Sequence, residues 1–161
     1  MLLFDILSYF GYKHYDKINN NIYIGNINTA QNTDFIKNNN ISIIINCSKD
    51  IPFYYNHTVN YRIPVNDDLS TASIVLMTHY LKHLIPIINN HLNKGEILFI
   101  HCRAGMQRSA TFLAGLLMYH YKLDKHAVIT LIKNKRFVCF LPSGNFNISL
   151  DIYSNYLKHH Y

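Results

Sequence analysis

One stretch of nine residues carries most of the chemistry in this sequence: His101-Cys102-Arg103-Ala104-Gly105-Met106-Gln107-Arg108-Ser109. A short apolar run precedes it and a longer one follows, so the pattern reads as strand, tight loop, helix. A loop of that kind turns successive backbone N–H groups inward, and the helix adds its positive N-terminal end. Together they form a cradle for a tetrahedral dianion. Gly105 allows the sharp bend and a close approach of backbone to ligand. A thiol at Cys102 would sit in the field meant for phosphate, and its pKa is expected below the free value of ~8.5, which makes it a thiolate nucleophile. Arg108 offers a planar fork for two phosphate oxygens, which Lys would do less well. Ser109 places a hydroxyl near the sulfur. Arg103, Ala104, Gly105, Met106 and Gln107 complete the phosphate-binding loop, and His101 is expected to order it by hydrogen bonding rather than to act as an acid.

The elements that must position these residues alternate between strand and helix. Ile22–Ile24 reads as a strand closed by Gly25, and Asn28 as the cap of a helix carrying Ala30, Phe35 and Ile36. Residues 41–46 and 96–101 are short, β-branched or apolar runs bounded by turn residues, as expected of strands buried on both faces. Residues 59–63 alternate and stop at Pro64, which suggests an edge strand. Helices are expected over 72–92, where Pro86 should bend or split the helix, and over 109–121, 125–135 and 146–159. Residues 2–10 form an amphipathic pattern with Leu3, Ile6, Leu7 and Phe10 on one side, and 1–17 is expected to be an N-terminal helical extension. The fold class is therefore α/β, a single domain over 1–161 with a mainly parallel central sheet of about five strands flanked by helices.

Bulk composition narrows the setting. The chain has 161 residues, about half of them apolar and 15% charged, which is a globular composition. A net charge of +6 suits anionic partners without choosing among phosphoprotein, RNA and anionic lipid. Three widely spaced cysteines and no CxxC pair argue for a reducing, cytoplasmic setting rather than a disulfide framework. The ten histidines are scattered, so no metal site is expected, and the chemistry asks for no cofactor. The start of the chain lacks a basic n-region, so a signal peptide is not expected, and no apolar run approaches the ~20 residues of a membrane span.

These residues resemble the signature of the cysteine-dependent protein phosphatases, His-Cys-x5-Arg-Ser/Thr, and Ala104-Gly105 is similar to the dual-specificity branch. The resemblance runs through Ile22–Gly25, Ile44–Cys47, and Pro142 with Phe146. It implies a general acid in the segment Ile63-Pro64-Val65-Asn66-Asp67-Asp68, at Asp67 by the family's Ile-Pro-x-x-Asp form, with Asp68 as the rival. No counterpart of the Tyr-bearing loop of tyrosine-specific relatives is evident, which implies a shallow pocket open to phosphoserine, phosphothreonine and phosphotyrosine in protein. Two positions depart from the pattern. Gln107 stands where many members carry a small residue and is expected to narrow the mouth or reach for the attacking water. Arg103 adds a charge beside the cradle, which keeps phosphoinositide as an alternative substrate, although Met106 lacks the second basic residue of lipid-directed relatives. An RNA 5′-phosphate is a further alternative, weakened by Ala104. A non-catalytic phosphoprotein-binding module is the reading from another class. Cys47 matches a cysteine that in some relatives traps the oxidised nucleophile as a disulfide. The Leu3/Ile6/Leu7/Phe10 face is read as core packing, with a homodimer through the N-terminal helix as the alternative.

Overall fold

The computed structural model describes residues 11–161. Its sheet comprises β1 (Tyr15–Asn19), β2 (Ile22–Gly25), β3 (Ile43–Asn46), β4 (Val59–Arg62) and β5 (Leu98–His101), in the order β1-β2-β5-β3-β4. The pairs β2–β5, β5–β3 and β3–β4 are parallel, and β1 is antiparallel to β2. The helices are α1 (Ile27–Gln31), α2 (Thr33–Asn38), α3 (Thr71–Asn93), α4 (Arg108–Tyr121), α5 (Lys125–Lys135) and α6 (Asn147–His160).

Strand periodicity divides the core in two. Ile22, Ile24, Ile43, Ile45, Leu98 and Ile100 face the larger layer, with Leu81, Ile85, Leu113 and Leu117 from α3 and α4. Tyr23, Ile44 and Phe99 point to the other face, where Ala30, Phe35 and Ile36 cover them. Strands β2, β3 and β5 are buried at every residue, as the unbroken apolar runs foretold. Helix α4 packs against α3, α5 and α6. A Cβ on Gly115 would stand 2.8 Å from Ile85 Cδ1 and Leu81 Cδ2, so the missing side chain is what lets α3 lie this close.

Four expectations need correction. Residues 15–17 of the expected N-terminal helix belong to strand β1, which turns at Asn20–Asn21 and pairs with β2, Asn21 N donating to Asn19 Oδ1 at 2.9 Å. The expected helix over 2–10 lies outside the described residues. The helix assigned to an Asn28 cap is two short helices. Asn26 caps α1 by accepting from Thr29 N, and Asn32 caps α2 by accepting from Phe35 N, so each Asn restarts the chain. Pro86 does not split α3, because the helix is held by its buried stripe of Met77, Leu81, Leu84, Ile85 and Ile88. By length and composition α3 could cross a membrane, contrary to the expectation of no such run, but that stripe faces the core.

β5 is the central strand, flanked by β2 and β3, whose own carboxyl ends lie beside its end. Open α/β sheets bind ligands in the crevice at such a point.

Candidate active site

Cys102 follows β5 directly and is 2% exposed. Behind it, each main-chain carbonyl of the loop is taken from outside. Ile27 N donates to Arg103 O at 3.1 Å, and Phe140 N to Met106 O at 2.8 Å. Arg136 Nε donates to Gly105 O at 2.9 Å, while Arg136 Nη2 and the Tyr12 hydroxyl both approach Ala104 O at 3.4 Å. With its carbonyls held outward, the loop turns its N–H groups inward. Gly105 N donates to Cys102 Sγ at 3.2 Å. The first turn of α4 has no side-chain cap, so its N-terminal donors also face the cradle.

Gly105 is required for a reason beyond the bend. It has φ +66, and a Cβ there would meet Gly25 O at 2.5 Å, so the loop presses on the end of β2. This close approach to the neighbouring strand is a second demand on Gly105, beside the bend and the approach to ligand expected from the sequence.

The electrostatics favour a thiolate. Burial alone would push the Cys102 thiol up. The Arg108 charge, the Ser109 hydroxyl 3.2 Å from Sγ, and the main-chain N–H groups of Ser109 and Met106 together outweigh it and hold the pKa below the ordinary thiol value. The other two thiols go the opposite way: burial pushes Cys139 up to about 12 and raises Cys47 well above its ordinary value. Cys47 N donates to His101 O at 2.7 Å, which puts Cys47 on the strand end beside the nucleophile.

Arg108 is itself buried, and its Nη1 donates to Val65 O at 3.1 Å. Its Nε has no partner among the described residues. A buried guanidinium N–H left open beside a thiolate cradle is what an anion site requires.

The acid segment hangs from that same Val65 carbonyl. Asp68 Oδ1 accepts from Ser70 N at 3.0 Å, and hydrogen bonds from Ser70 and Ser73 at the start of α3 hold its carboxyl below the usual range. A carboxyl kept ionised by a helix start is a poor proton donor. Asp67 is free of that duty, and its Oδ1 accepts from Asn145 Nδ2 at 2.8 Å.

Other expectations change on inspection. Gln107 is buried with both ends committed: Nε2 donates to Leu141 O and Ser143 O at 2.8 Å each, and Oε1 accepts from Asn145 N at 3.0 Å. It neither narrows the mouth nor reaches for water, because the 141–145 loop uses all of its polar atoms. Arg103 is exposed and its Nη2 pairs with Asp50 Oδ2 at 2.6 Å, so its charge is already partnered; that hydrogen bond holds the Asp50 carboxyl below its usual range. His101 Nδ1 has no partner among the described residues. Its ring stacks on Phe99 and hydrogen-bonds to the main chain of Cys102, and burial outweighs that bond and lowers its pKa to about 4, so it is neutral.

Arg136 was not singled out by the sequence. It is 1% exposed and, besides the loop carbonyls, its Nη1 donates to Lys13 O and Asp16 Oδ2 at 2.9 and 2.8 Å. A basic residue at the end of a helix is commonplace, and nothing local marked this one.

The family described as dual specificity phosphatase, catalytic domain, matches residues 22–155. Protein phosphatase Slingshot of Drosophila melanogaster is 26% identical over 142 residues, which is 88% of this chain but 13% of that protein. Dual specificity protein phosphatase 1B of Arabidopsis thaliana is 25% identical over 134 residues, 83% of this chain and 78% of the relative. The chain thus spans only a small part of the Drosophila protein and most of the Arabidopsis one. The crystal structure of human DUSP28 superposes with a TM-score of 0.81 at 19% identity, covering 91% of this chain and 97% of that one, a likeness of fold.

Proposed function

Since the chain belongs to the dual specificity phosphatase catalytic-domain family, we propose that it hydrolyses phosphomonoesters of protein tyrosine and of serine or threonine through a thiophosphoryl-cysteine. The observation that carries the proposal is the buried, thiolate-favouring Cys102 beside the unpartnered Nε of Arg108. Cys102 Sγ attacks phosphorus as the P–O bond to the leaving group breaks, and Asp67 delivers its proton to that oxygen. Water then attacks the thiophosphoryl group, giving a proton back to Asp67. The P–S bond breaks, phosphate leaves, and Ser109 steadies the departing thiolate. Arg108 and the inward N–H groups of the loop from Arg103 to Arg108 hold the equatorial charge through both steps.

Protein is favoured over phosphoinositide or RNA ends because Arg103, the residue that motivated those alternatives, is partnered by Asp50. A reactive thiolate also calls for a reducing setting, so the proposed location is the cytoplasm. Association of two copies through residues 2–10 is a separate proposal. Its test is a sizing column on a chain begun at Gly11, since a later start would remove β1.

The test is hydrolysis of a small aryl phosphate that vanadate inhibits and EDTA does not. Cys102→Ser should abolish it, and Arg108→Lys should lower kcat/KM by about 10²–10³-fold. Unchanged turnover in Cys102→Ser overturns the proposal. Turnover of phosphopeptides, soluble inositol phosphates and 5′-triphosphorylated RNA ranks the substrates.

A further inference from the structure

We infer that Asn145, seated by Gln107, is the positioning residue that aims the carboxyl of Asp67 at the leaving oxygen. The inference rests on the reading of Asp67 as general acid. The segment that carries Asp67 is exposed, and its neighbouring ties among the described residues do not reach the acid itself: the Arg108 bond goes to Val65 O, two residues back, and the Ser70 bond to Asp68, one residue on. A carboxyl on so loosely held a loop needs a second reference point if it is to meet an oxygen bonded to a phosphorus in the cradle. Asn145 supplies it, donating from Nδ2 to Asp67 Oδ1 at 2.8 Å.

Asn145 is in turn referenced to the phosphate loop. Gln107, the residue before Arg108, accepts from Asn145 N at 3.0 Å and donates to the carbonyls of Leu141 and Ser143 at 2.8 Å. Three hydrogen bonds from one buried amide thus fix the 141–145 loop against the cradle, and one more carries that position out to the acid. With Oδ1 of Asp67 occupied by an amide donor, the transferable proton belongs on Oδ2, because a donor opposite Oδ1 disfavours a second proton there. This accounts for Gln107 in a way the sequence did not: it is a large amide because it must span to three main-chain groups of another loop.

The test exploits what a general acid does and a scaffold does not. Proton donation matters for a poor leaving group such as a phenol with a pKa of about 10, like the tyrosine side chain, and little for an activated fluorinated coumarin. Wild type, Asn145→Ala, Asp67→Asn and the double variant are compared on phenyl phosphate and on the fluorinated coumarin phosphate. Asn145→Ala is expected to lose about tenfold in kcat on phenyl phosphate, part of the ~10²–10⁴-fold that an acid can supply. Its loss on the coumarin ester should stay under about twofold, and it should add nothing to Asp67→Asn. If Asn145→Ala melts early, Asn145→Leu, similar in size and unable to donate, is read in its place. Equal losses on both esters, no loss on either, or a loss additive with Asp67→Asn would overturn the inference. Should Asp67→Asn itself fail to discriminate between the esters, the acid assignment falls instead, while the Cys102→Ser result still stands or falls separately.

Discussion

Between Arg103 and Gln107 every main-chain carbonyl is taken by a donor behind it, and the residues supplying those donors come from α1, α4, the end of α5 and the segment around Tyr12 and Phe140. Between Asn66 and Leu69 the chain is exposed, and its recorded side-chain ties are Asn145 to Asp67 and Ser70 to Asp68. The two loops meet at Arg108, yet one is built into the core and the other is hung from it. The difference follows from their tasks. The cradle must present several dipoles to a charge without reorganising, which requires burial. The acid must exchange its proton with a leaving group and then with water, which requires access. Damage should therefore show as lost folding in the first loop and as lost selectivity in the second.

The contrast can be broken most severely at Arg136. Arg136→Ala leaves Asp16 without its ion-pair partner and the Gly105 carbonyl without its guanidinium donor, so a loss of about 3–5 kcal/mol in urea unfolding is expected, with activity falling alongside. A stable, inactive Arg136→Ala protein would mean that the cradle does not depend on its outer clasp.

In the exposed loop the expected signature is catalytic. Asp67→Asn should lower kcat on phenyl phosphate by about 10²-fold or more and keep the melting temperature. Asp68→Asn should keep kcat and lower the melting temperature slightly. Its folded pKa is depressed, so its contribution is present above the unfolded carboxyl value and disappears as pH falls through the folded one. The Asp68→Asn difference in melting temperature should accordingly vanish in acid. Reversed roles for the two carboxyls would show in the same pair of assays.

A smaller effect separates the three buried thiols. Cys102 should be alkylated by iodoacetate at pH values below the ordinary thiol range and lose reactivity only as pH falls through its lowered pKa. Cys47 and Cys139, pushed up by burial, should stay unmodified at neutral pH. Peptide mapping after brief alkylation checks this. Smaller still, mild peroxide should oxidise Cys102 to the sulfenic acid, which the Cys47 thiol attacks with release of water to form a reversible disulfide. Intact mass showing only sulfinic or sulfonic Cys102 would reject that trap.

The buried loop was also the more legible one. Cys102, Gly105, Arg108 and Ser109 are contiguous, and strand and helix on either side have strong periodicity, so their geometry is local. The acid was legible only as a pair, because Asp67 and Asp68 differ by partners far along the chain, Asn145 for one and the start of α3 for the other. Gln107 was misjudged for the same reason, since its partners lie more than thirty residues away. β1 escaped notice because only Ile18 is buried in it, too little to produce an alternating signal. Asn26 and Asn32 were passed over as caps in a chain so rich in Asn that no single one stood out.

The most direct measurement is a rapid acid quench of the enzyme turning over an aryl phosphate, followed by mass mapping of the phosphorylated peptide. One phosphoryl group is expected on Cys102, absent in Cys102→Ser and longer-lived in Asp67→Asn, where the base for the attacking water is missing. Turnover with no phosphoryl group on Cys102, or with one on another residue, would contradict the thiophosphoryl-cysteine route.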